Sequence, residues 1–143
     1  MEKAHQIIDA VVALVPEYLA NPDDRNISGG NWAICIIDED NNVCGKLFGN
    51  DKVQGRQSYK IAWIKASQSW ITGYKTGEYE KLVYSGQVDD GPFGIQKPDF
   101  LGWEGGQQVT LKDGTKLGIG FSGFRGTSDI EIVVRAIQNL GLQ

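Results

Sequence analysis

The sequence predicts an α/β fold of the α+β type, in which an antiparallel sheet of about five strands carries helices on both faces. Three observations lead to this fold class. First, apolar residues recur at helical spacing in separate segments. Second, short apolar or alternating runs form two pairs around turn residues. Third, the predicted elements follow one another in the order helix, two strands, helices, two or three strands, helix. Such strand pairs build an antiparallel sheet, and the helices between them can cover both of its faces.

The first half of the chain predicts a helix followed by a hairpin. Apolar residues from Ile7 to Leu19 recur at helical spacing, and the turn-forming residues 21–24 end this pattern. After a flexible connection, residues 32–37 are apolar on both faces, as expected for a strand that is covered on each side. A turn then allows residues 43–48 to return as the antiparallel partner of that strand.

The middle of the chain predicts two helices and a long connection. Residues 57–74 have helical periodicity, and a short helix fits residues 78–84. The next two dozen residues are rich in glycine and proline, which is too long a stretch for a simple connection in a domain of this size. Because this stretch carries Phe100, Leu101 and Trp103, we expect it to be ordered and to pack onto the sheet.

The last third predicts a second hairpin and a final helix. Residues 108–111 and 116–121 alternate around a turn that contains Asp113 and Gly114. A helix over residues 128–140 follows, and Ser128 and Glu131 have the spacing of a capping box. No repeat or second domain is visible, so the 143 residues are expected to form one domain.

Composition excludes several classes of partner. The net charge is −4 with the basic residues scattered, so a nucleic-acid partner is not expected. The longest apolar stretch is far shorter than the roughly 20 residues of a membrane span, and the start of the chain lacks a secretory signal. We therefore expect a cytoplasmic protein that does not enter a membrane, with Cys35 and Cys44 as free thiols.

The most informative segment is the junction between the last strand and the last helix, where Ser122 and Gly123 precede Arg125 and Asp129. A helix start presents unpaired N–H groups and the positive end of the helix dipole, which favours a carboxylate or another anion. Arg125 could add a bidentate clamp. The alternative is structural: the glycines make a tight turn, Ser128 caps the helix and Arg125 faces water.

The chain resembles the GlcG/HbpS family, which includes the carboxy-terminal domain of PduO-type proteins. The resemblance covers nearly the whole chain, and the order and spacing of its short motifs make it specific. The matching pieces are Asp38 with Asn41 and Asn42, Ser58-x-x-x-Ala62-x-x-Lys65-Ala66, Gly105-Gly106, and Gly118-x-Gly120-x-Ser122-Gly123 followed by Asp129.

This resemblance implies a profilin-like sheet with helices on both faces, and assembly into homodimers or larger rings. It also implies haem as a candidate ligand, because several members of the family bind haem. The chain departs from the family at Trp63, Trp70 and residues 100–104, which are bulkier than the small residues usual there. This departure indicates a distinct ligand.

The candidate site residues follow from these two lines of argument. His5 is the only histidine, so it is the candidate ligand for haem iron, although a solvated residue is the more common role for a histidine at the start of a terminal helix. Lys65 could meet an anionic ligand or lie on a solvated helix face. Asp38, Arg125 and Asp129 are the candidate acid and base groups, and the candidate ligand-binding residues are Gly105, Gly106, Ser122, Gly123, Arg125, Trp63 and Trp103.

Three hypotheses remain open at this level. The chain could bind haem or another carboxylate-bearing small molecule at the start of the last helix. It could instead be an enzyme that carries out acid and base chemistry, of the isomerase, lyase or cyclase type, on a small oxygenated substrate. A third hypothesis is an assembly module in which Trp32, Phe100 and Trp103 form a subunit interface.

Overall fold

The computed structural model describes residues 1–96 and 99–143, and these contain one antiparallel sheet of four strands. The strands lie in the order β2-β1-β4-β3, and their bounds are β1 Trp32–Asp38, β2 Val43–Phe48, β3 Gly106–Thr110 and β4 Lys116–Ser122. Both predicted hairpins are present, and β1 and β4 are the central strands. The expectation of about five strands is wrong by one.

Helices cover both faces of this sheet, as predicted. Their bounds are α1 Glu2–Leu19, α2 Pro22–Ser28, α3 Lys52–Thr72, α4 Thr76–Tyr84 and α5 Gly126–Asn139, with a single 3-10 turn at Gly91–Phe93. None of the helices within residues 1–96 and 99–143 is both long and apolar enough to cross a membrane.

Helix α2 was not predicted, because the residues that end α1 also begin α2. The side chain of Asn21 accepts the N–H of Asp23, and Pro22 occupies the first turn, where its missing N–H costs nothing. Gly29 then closes the helix in the left-handed conformation. As a result, a short helix replaces most of the predicted flexible connection and brings Asp24 over the start of α5.

One face of the sheet carries the main core, where α1 and α5 pack on β1 and β4. Every second residue of β1 faces this side, including Ile34 and Ile36, and both are fully buried. Helices α1 and α5 add apolar stripes at helical spacing, and Tyr18 stacks on Phe124 near their ends. This layer contains most of the buried apolar residues.

The other face is packed by α3 at very short range. Gly118 and Gly120 of β4 lie under α3, and a Cβ built on Gly120 would stand 2.1 Å from the carbonyl oxygen of Ala62. The helix backbone therefore rests directly on the sheet backbone, with Ala62 and Ala66 as its contact residues. For this reason the buried face of α3 consists of small and polar residues, and Ile71 is left partly exposed.

The long connection before β3 is ordered where it is described, but it packs on α3 and α4 rather than on the sheet. Phe100 contacts the ring of Tyr79 at 5.2 Å between centroids. The side-chain amide of Gln68 both donates to the carbonyl of Leu101 and accepts its N–H, each at 2.8 Å. Because a side chain takes these backbone bonds, this segment forms no fifth strand. Lys97 and Pro98 of the stretch lie outside the described residues.

Candidate functional site

A cleft of about 430 Å³ lies between α3 and the connection from β4 to α5. Residues 102–104 form one side of its rim, and Ile27 of α2 lies on its lining. Its volume falls in the range of about 300–1,000 Å³ typical of small-molecule sites. The lining combines apolar and polar side chains, and the polar ones are Gln54, Gln57, Ser58, Lys65, Glu104, Ser122 and Asp129.

A buried ion pair lies on the lining of this cleft. Lys65 Nζ stands 3.2 Å from Asp129 Oδ2, and both residues are only 3% exposed. The same Nζ donates to the carbonyl oxygen of Phe121 at 2.9 Å, and the other carboxylate oxygen of Asp129 accepts the N–H of Phe124 at 2.9 Å. The pair is thus fixed from both sides by the strand end and the turn that follows it.

Burial shifts both members of the pair toward their uncharged forms. It raises the pKa of Asp129 to about 7, although the Lys65 ammonium and the Phe124 N–H oppose the shift. Burial likewise lowers the pKa of Lys65, and the carboxylates of Asp129 and Glu104 oppose this shift. Shifts of this kind, caused by burial beside a charged partner on the lining of a cleft, are typical of functional sites.

The glycine pair before β3 makes room for this arrangement. Gly105 has φ +124°, and a Cβ there would stand 2.7 Å from Lys65 Nζ and 2.5 Å from the carbonyl oxygen of Phe121. A Cβ on Gly106 would collide with the backbone carbonyl of Lys65 at 2.6 Å. Both glycines are buried next to the pair rather than on the lining of the cleft, and their lack of side chains lets α3 and Lys65 approach the sheet.

The rim of the cleft is held by buried polar side chains of α3 and α4. Thr76, at the start of α4, donates its hydroxyl proton to the carbonyl of Trp103, and Gln68 holds Leu101 by its two hydrogen bonds. The indole of Trp103 itself is 64% exposed. The backbone of Trp103 is therefore held in place, while its side chain presents a large aromatic surface at the mouth of the cleft.

The start of α5 does hold an anion, and this anion belongs to the protein. The carboxylate of Asp24 accepts the backbone N–H of Arg125 at 2.9 Å, its Nε at 3.0 Å and the hydroxyl of Ser128 at 2.8 Å. Ser128 thus does not cap α5 in the predicted way, because the helix already begins at Gly126 and the hydroxyl of Ser128 donates to Asp24 of α2. Arg125 is engaged by Asp24 and is absent from the cleft lining.

We expect Asp24→Asn to lower the free energy of unfolding by about 2–3 kcal/mol near pH 7, because charged hydrogen bonds of a buried carboxylate are lost. Burial opposes ionisation of Asp24, but the bonds from Arg125 and Ser128 outweigh it and hold its pKa below the ordinary value. This stabilisation is present above the ordinary pKa of aspartate and is lost as the pH falls through the lowered pKa.

Urea denaturation from about pH 7 down to about pH 3 measures this effect, and the cost of the substitution should shrink toward the acid end. The matched control is Asp23→Asn on the same helix, whose exposed side chain should change stability by less than about 0.5 kcal/mol. Equal costs for the two variants would contradict the assignment of Asp24 as the internal anion.

The comparisons with known proteins bear on the fold. No protein-family model and no curated protein matches the chain in sequence. The solved structures that match it in fold include a double mutant of Streptomyces reticuli HbpS, a PduOC:heme complex, and the Klebsiella pneumoniae protein ORFY with the family model DUF336.

The HbpS match has a TM-score of 0.63 at 23% identity and covers 96% of this chain and 85% of that one. The PduOC match has a TM-score of 0.66 at 19% identity and covers 100% of this chain and 95% of that one. The ORFY match has a TM-score of 0.68 at 20% identity and covers 98% of this chain and 88% of that one. The chain has an HbpS-like fold. The predicted resemblance is thereby confirmed at the level of the fold.

Within this HbpS-like fold, the other predicted site residues lie away from the cleft. Asp38 ends β1 opposite Leu117, five positions along β4 from Ser122, which is about 17 Å of strand. Its carboxylate accepts the N–H of Asp40 and of Asn42, so it orders the turn between β1 and β2. Trp63 is 42% exposed and lines a separate groove on the outer side of α3.

His5 lies on the α1 side of the HbpS-like sheet. Its Nδ1 is 3.0 Å from the carbonyl oxygen of Met1, and its Nε2 is 3.7 Å from Cys44 Sγ on β2. Cys35 and Cys44 are both free thiols, as expected. The structure therefore brings together Ser122, Gly123, Trp103 and Asp129 in one cleft, and it separates them from His5, Asp38, Trp63 and Arg125.

Sequence reasoning underestimated Lys65, which is buried rather than solvated. A usable signal was present in the motif Ser58-x-x-x-Ala62-x-x-Lys65-Ala66. Small residues at this spacing occupy one helix face, so Lys65 had to share the face that packs closest to the sheet. Asp24 had no such signal, because a turn aspartate after a predicted helix end looks like any solvated turn residue.

Proposed function

We propose that this chain binds a small organic molecule in the cleft, with an oxygen-bearing end of the molecule next to Lys65 and Asp129. The observation that carries the proposal is the buried pair on the lining of an open cleft. A pair that only tied α3 to α5 would not need to line a cleft. Here its ammonium has three protons and uses two of them within the protein.

The rest of the lining supports a ligand with both polar and apolar parts. Ser58 and Ser122 add hydroxyl groups to the lining, while Ile61 and Phe124 supply apolar surface. Trp103 adds a flat aromatic face at the rim. Sites that orient small molecules typically combine apolar surface with polar groups in this way.

A carboxylate remains a suitable polar end for this ligand, but its place differs from the predicted one. Asp24 already satisfies donors at the start of α5, so we assign the ligand's oxygen atoms to Lys65 instead. Glu104 and Asp129 leave the cleft without a net positive charge, which disfavours a multiply charged phosphate.

Haem fits this cleft poorly, although one of the solved structures of the same fold is a heme complex. The protein side chains that most often ligate haem iron are His, Cys, Met and Tyr, and the described lining contains none of them. His5 and Cys44 are on the other side of the sheet. We therefore propose a ligand that needs no iron ligand from the cleft.

An enzyme is the second candidate function, and the raised pKa of Asp129 favours it. A carboxyl group that titrates at about pH 7 can give and take a proton under physiological conditions. Asp38 and Arg125 were the other candidate groups, but neither lies on the cleft. Acid and base chemistry on a small oxygenated substrate would therefore fall to Asp129 together with Lys65.

Ligand titration with three probes tests the binding proposal. The probes are phenylpyruvate, which combines a ring, a carbonyl and a carboxylate; benzoate, which lacks the carbonyl; and hemin. We expect the first two to quench tryptophan fluorescence saturably. We expect hemin not to bind in the cleft, and therefore to give no saturable Soret shift from that site. A Soret shift lost in His5→Ala would instead make this a haem protein with His5 as ligand.

Trp103→Ala should weaken phenylpyruvate binding by about tenfold, because loss of an aromatic contact costs about 1 kcal/mol beyond the loss of buried area. Trp63→Ala is the matched control, since it removes another exposed tryptophan from the separate groove and should leave the affinity unchanged. Calorimetric titration of both variants gives the two dissociation constants. An equal loss in both variants would rule out the cleft as the site.

A further inference from the structure

We propose that Lys65 forms an imine with an aldehyde or ketone that enters the cleft, with Asp129 carrying the protons of the reaction. The inference rests on the proposed function, because it requires that the cleft admits a small carbonyl compound.

The geometry supplies a nucleophile with its own base. Lys65 Nζ lies 3.2 Å from Asp129 Oδ2, so one proton can pass from the ammonium to the carboxylate without water. The carbonyl oxygen of Phe121, 2.9 Å from Nζ, holds the amine in place through a second proton. Since Lys65 and Asp129 both line the cleft, a carbonyl carbon bound there meets the amine and the acid together.

The surroundings favour the uncharged amine that this chemistry requires. Lys65 is 3% exposed, and burial lowers its pKa while it raises that of Asp129. The other charged groups near the pair are Glu104 on the rim and Asp24 on α2, which is itself neutralised by Arg125. Lysines that act as nucleophiles toward carbonyl groups are typically desolvated in this way.

The step balances without an oxidant or a reductant. After proton transfer to Asp129, the lone pair of Nζ forms a bond to the carbonyl carbon, and the oxygen takes the proton held by Asp129. The nitrogen returns one proton to Asp129, which leaves a neutral carbinolamine. Asp129 then protonates the hydroxyl group, the carbon–oxygen bond breaks and water leaves. The product is a protonated imine beside the Asp129 carboxylate, so the net charge of the site is unchanged.

Lys60 provides an internal control for this reactivity. It lies on the same helix, but its side chain is exposed. Only the neutral amine attacks a carbonyl carbon, and solvation by water favours the charged ammonium form of a lysine side chain. Each unit by which the pKa is lowered makes the neutral amine about tenfold more abundant, and bound ligand adds a further gain through proximity.

The experiment is reductive trapping of the intact protein with sodium cyanoborohydride near pH 7, using phenylpyruvate or benzaldehyde as the carbonyl compound. Peptide mapping by mass spectrometry then compares labelling at Lys65 and Lys60. We expect Lys65 to be labelled at least about tenfold faster, and the ratio to fall at about pH 10, where exposed amines also become neutral. Benzoate should compete with the labelling of Lys65 and leave that of Lys60 unchanged.

Asp129→Asn tests the proton carrier. Its labelling at Lys65 is expected to be at least about tenfold slower, with Lys60 unchanged and circular dichroism confirming the fold. Wild-type labelling at Lys65 no faster than at Lys60, while phenylpyruvate binds saturably, would overturn the imine and leave the proposed function intact. If no probe binds and Lys65 is not labelled, both fail.

Discussion

Gly120→Ala is expected to lower the free energy of unfolding by about 3 kcal/mol, although it adds a single methyl group. The new Cβ would stand 2.1 Å from the carbonyl oxygen of Ala62, 2.6 Å from the amide nitrogen of Ala66 and 2.9 Å from the Cβ of Lys65. Two of these atoms are helix backbone, so relief requires α3 to move away from the sheet. Urea denaturation followed by circular dichroism measures the loss.

Gly55→Ala is the matched control for this prediction. Gly55 lies within α3 itself, and a Cβ there would meet only the end of the Leu47 side chain, at 3.4 Å. Replacing glycine by alanine inside a helix should stabilise the protein by about 0.5–1 kcal/mol. A cost below about 1 kcal/mol for Gly120→Ala would show that α3 is free to shift, and would contradict the close packing described above.

The second large effect is expected from Lys65→Met, which should lower the free energy of unfolding by about 3–5 kcal/mol near pH 8. The reason is that it leaves the buried Asp129 carboxylate unpaired. Burial already raises the pKa of Asp129 to about 7, and loss of the ammonium removes an interaction that lowers it. A carboxyl group whose pKa is raised in the folded state contributes stability below its unfolded pKa, and that stability is lost as the pH rises through the folded value.

The cost of Lys65→Met should therefore be smaller near pH 5, where Asp129 is protonated, than near pH 8. Denaturation of wild type and variant at both pH values tests the sign. The double variant Lys65→Met with Asp129→Leu replaces the pair by apolar groups and should recover much of the loss at the higher pH. A cost that is the same at both pH values would show that Asp129 is not the group responsible.

The parts of the fold that could be predicted from sequence depend on local patterns. Both hairpins follow from apolar runs on either side of turn residues, and the register of β1 with β2 follows from the short turn between Asp38 and Val43. Helix α2 was missed because Pro22 is compatible with a helix end and with a helix start. The packing of the long connection was missed because nothing local shows that Gln68 binds the backbone of Leu101.

Only part of the candidate site could be predicted from the sequence, because the rest depends on residues that are distant along the chain. The junction at Ser122 and Gly123 was found because glycines between a strand and a helix mark a local turn. The burial of Lys65 depends on Asp129, 64 positions away, and the use of Arg125 depends on Asp24, 101 positions away. A charged side chain alone predicts solvent exposure, and only its distant partner reverses that expectation.

The direct contact between α3 and the sheet also limits how this site can change. Glycine and alanine meet there without a layer of larger side chains, so there is no room for a larger residue at Ala62 or Ala66. The position of Lys65 is therefore fixed by the backbone. Trp103, Gln54 and Ile27 are free of that constraint. New ligand preferences, whether selected in nature or in a laboratory library, should therefore arise at the mouth of the cleft while its chemistry stays constant.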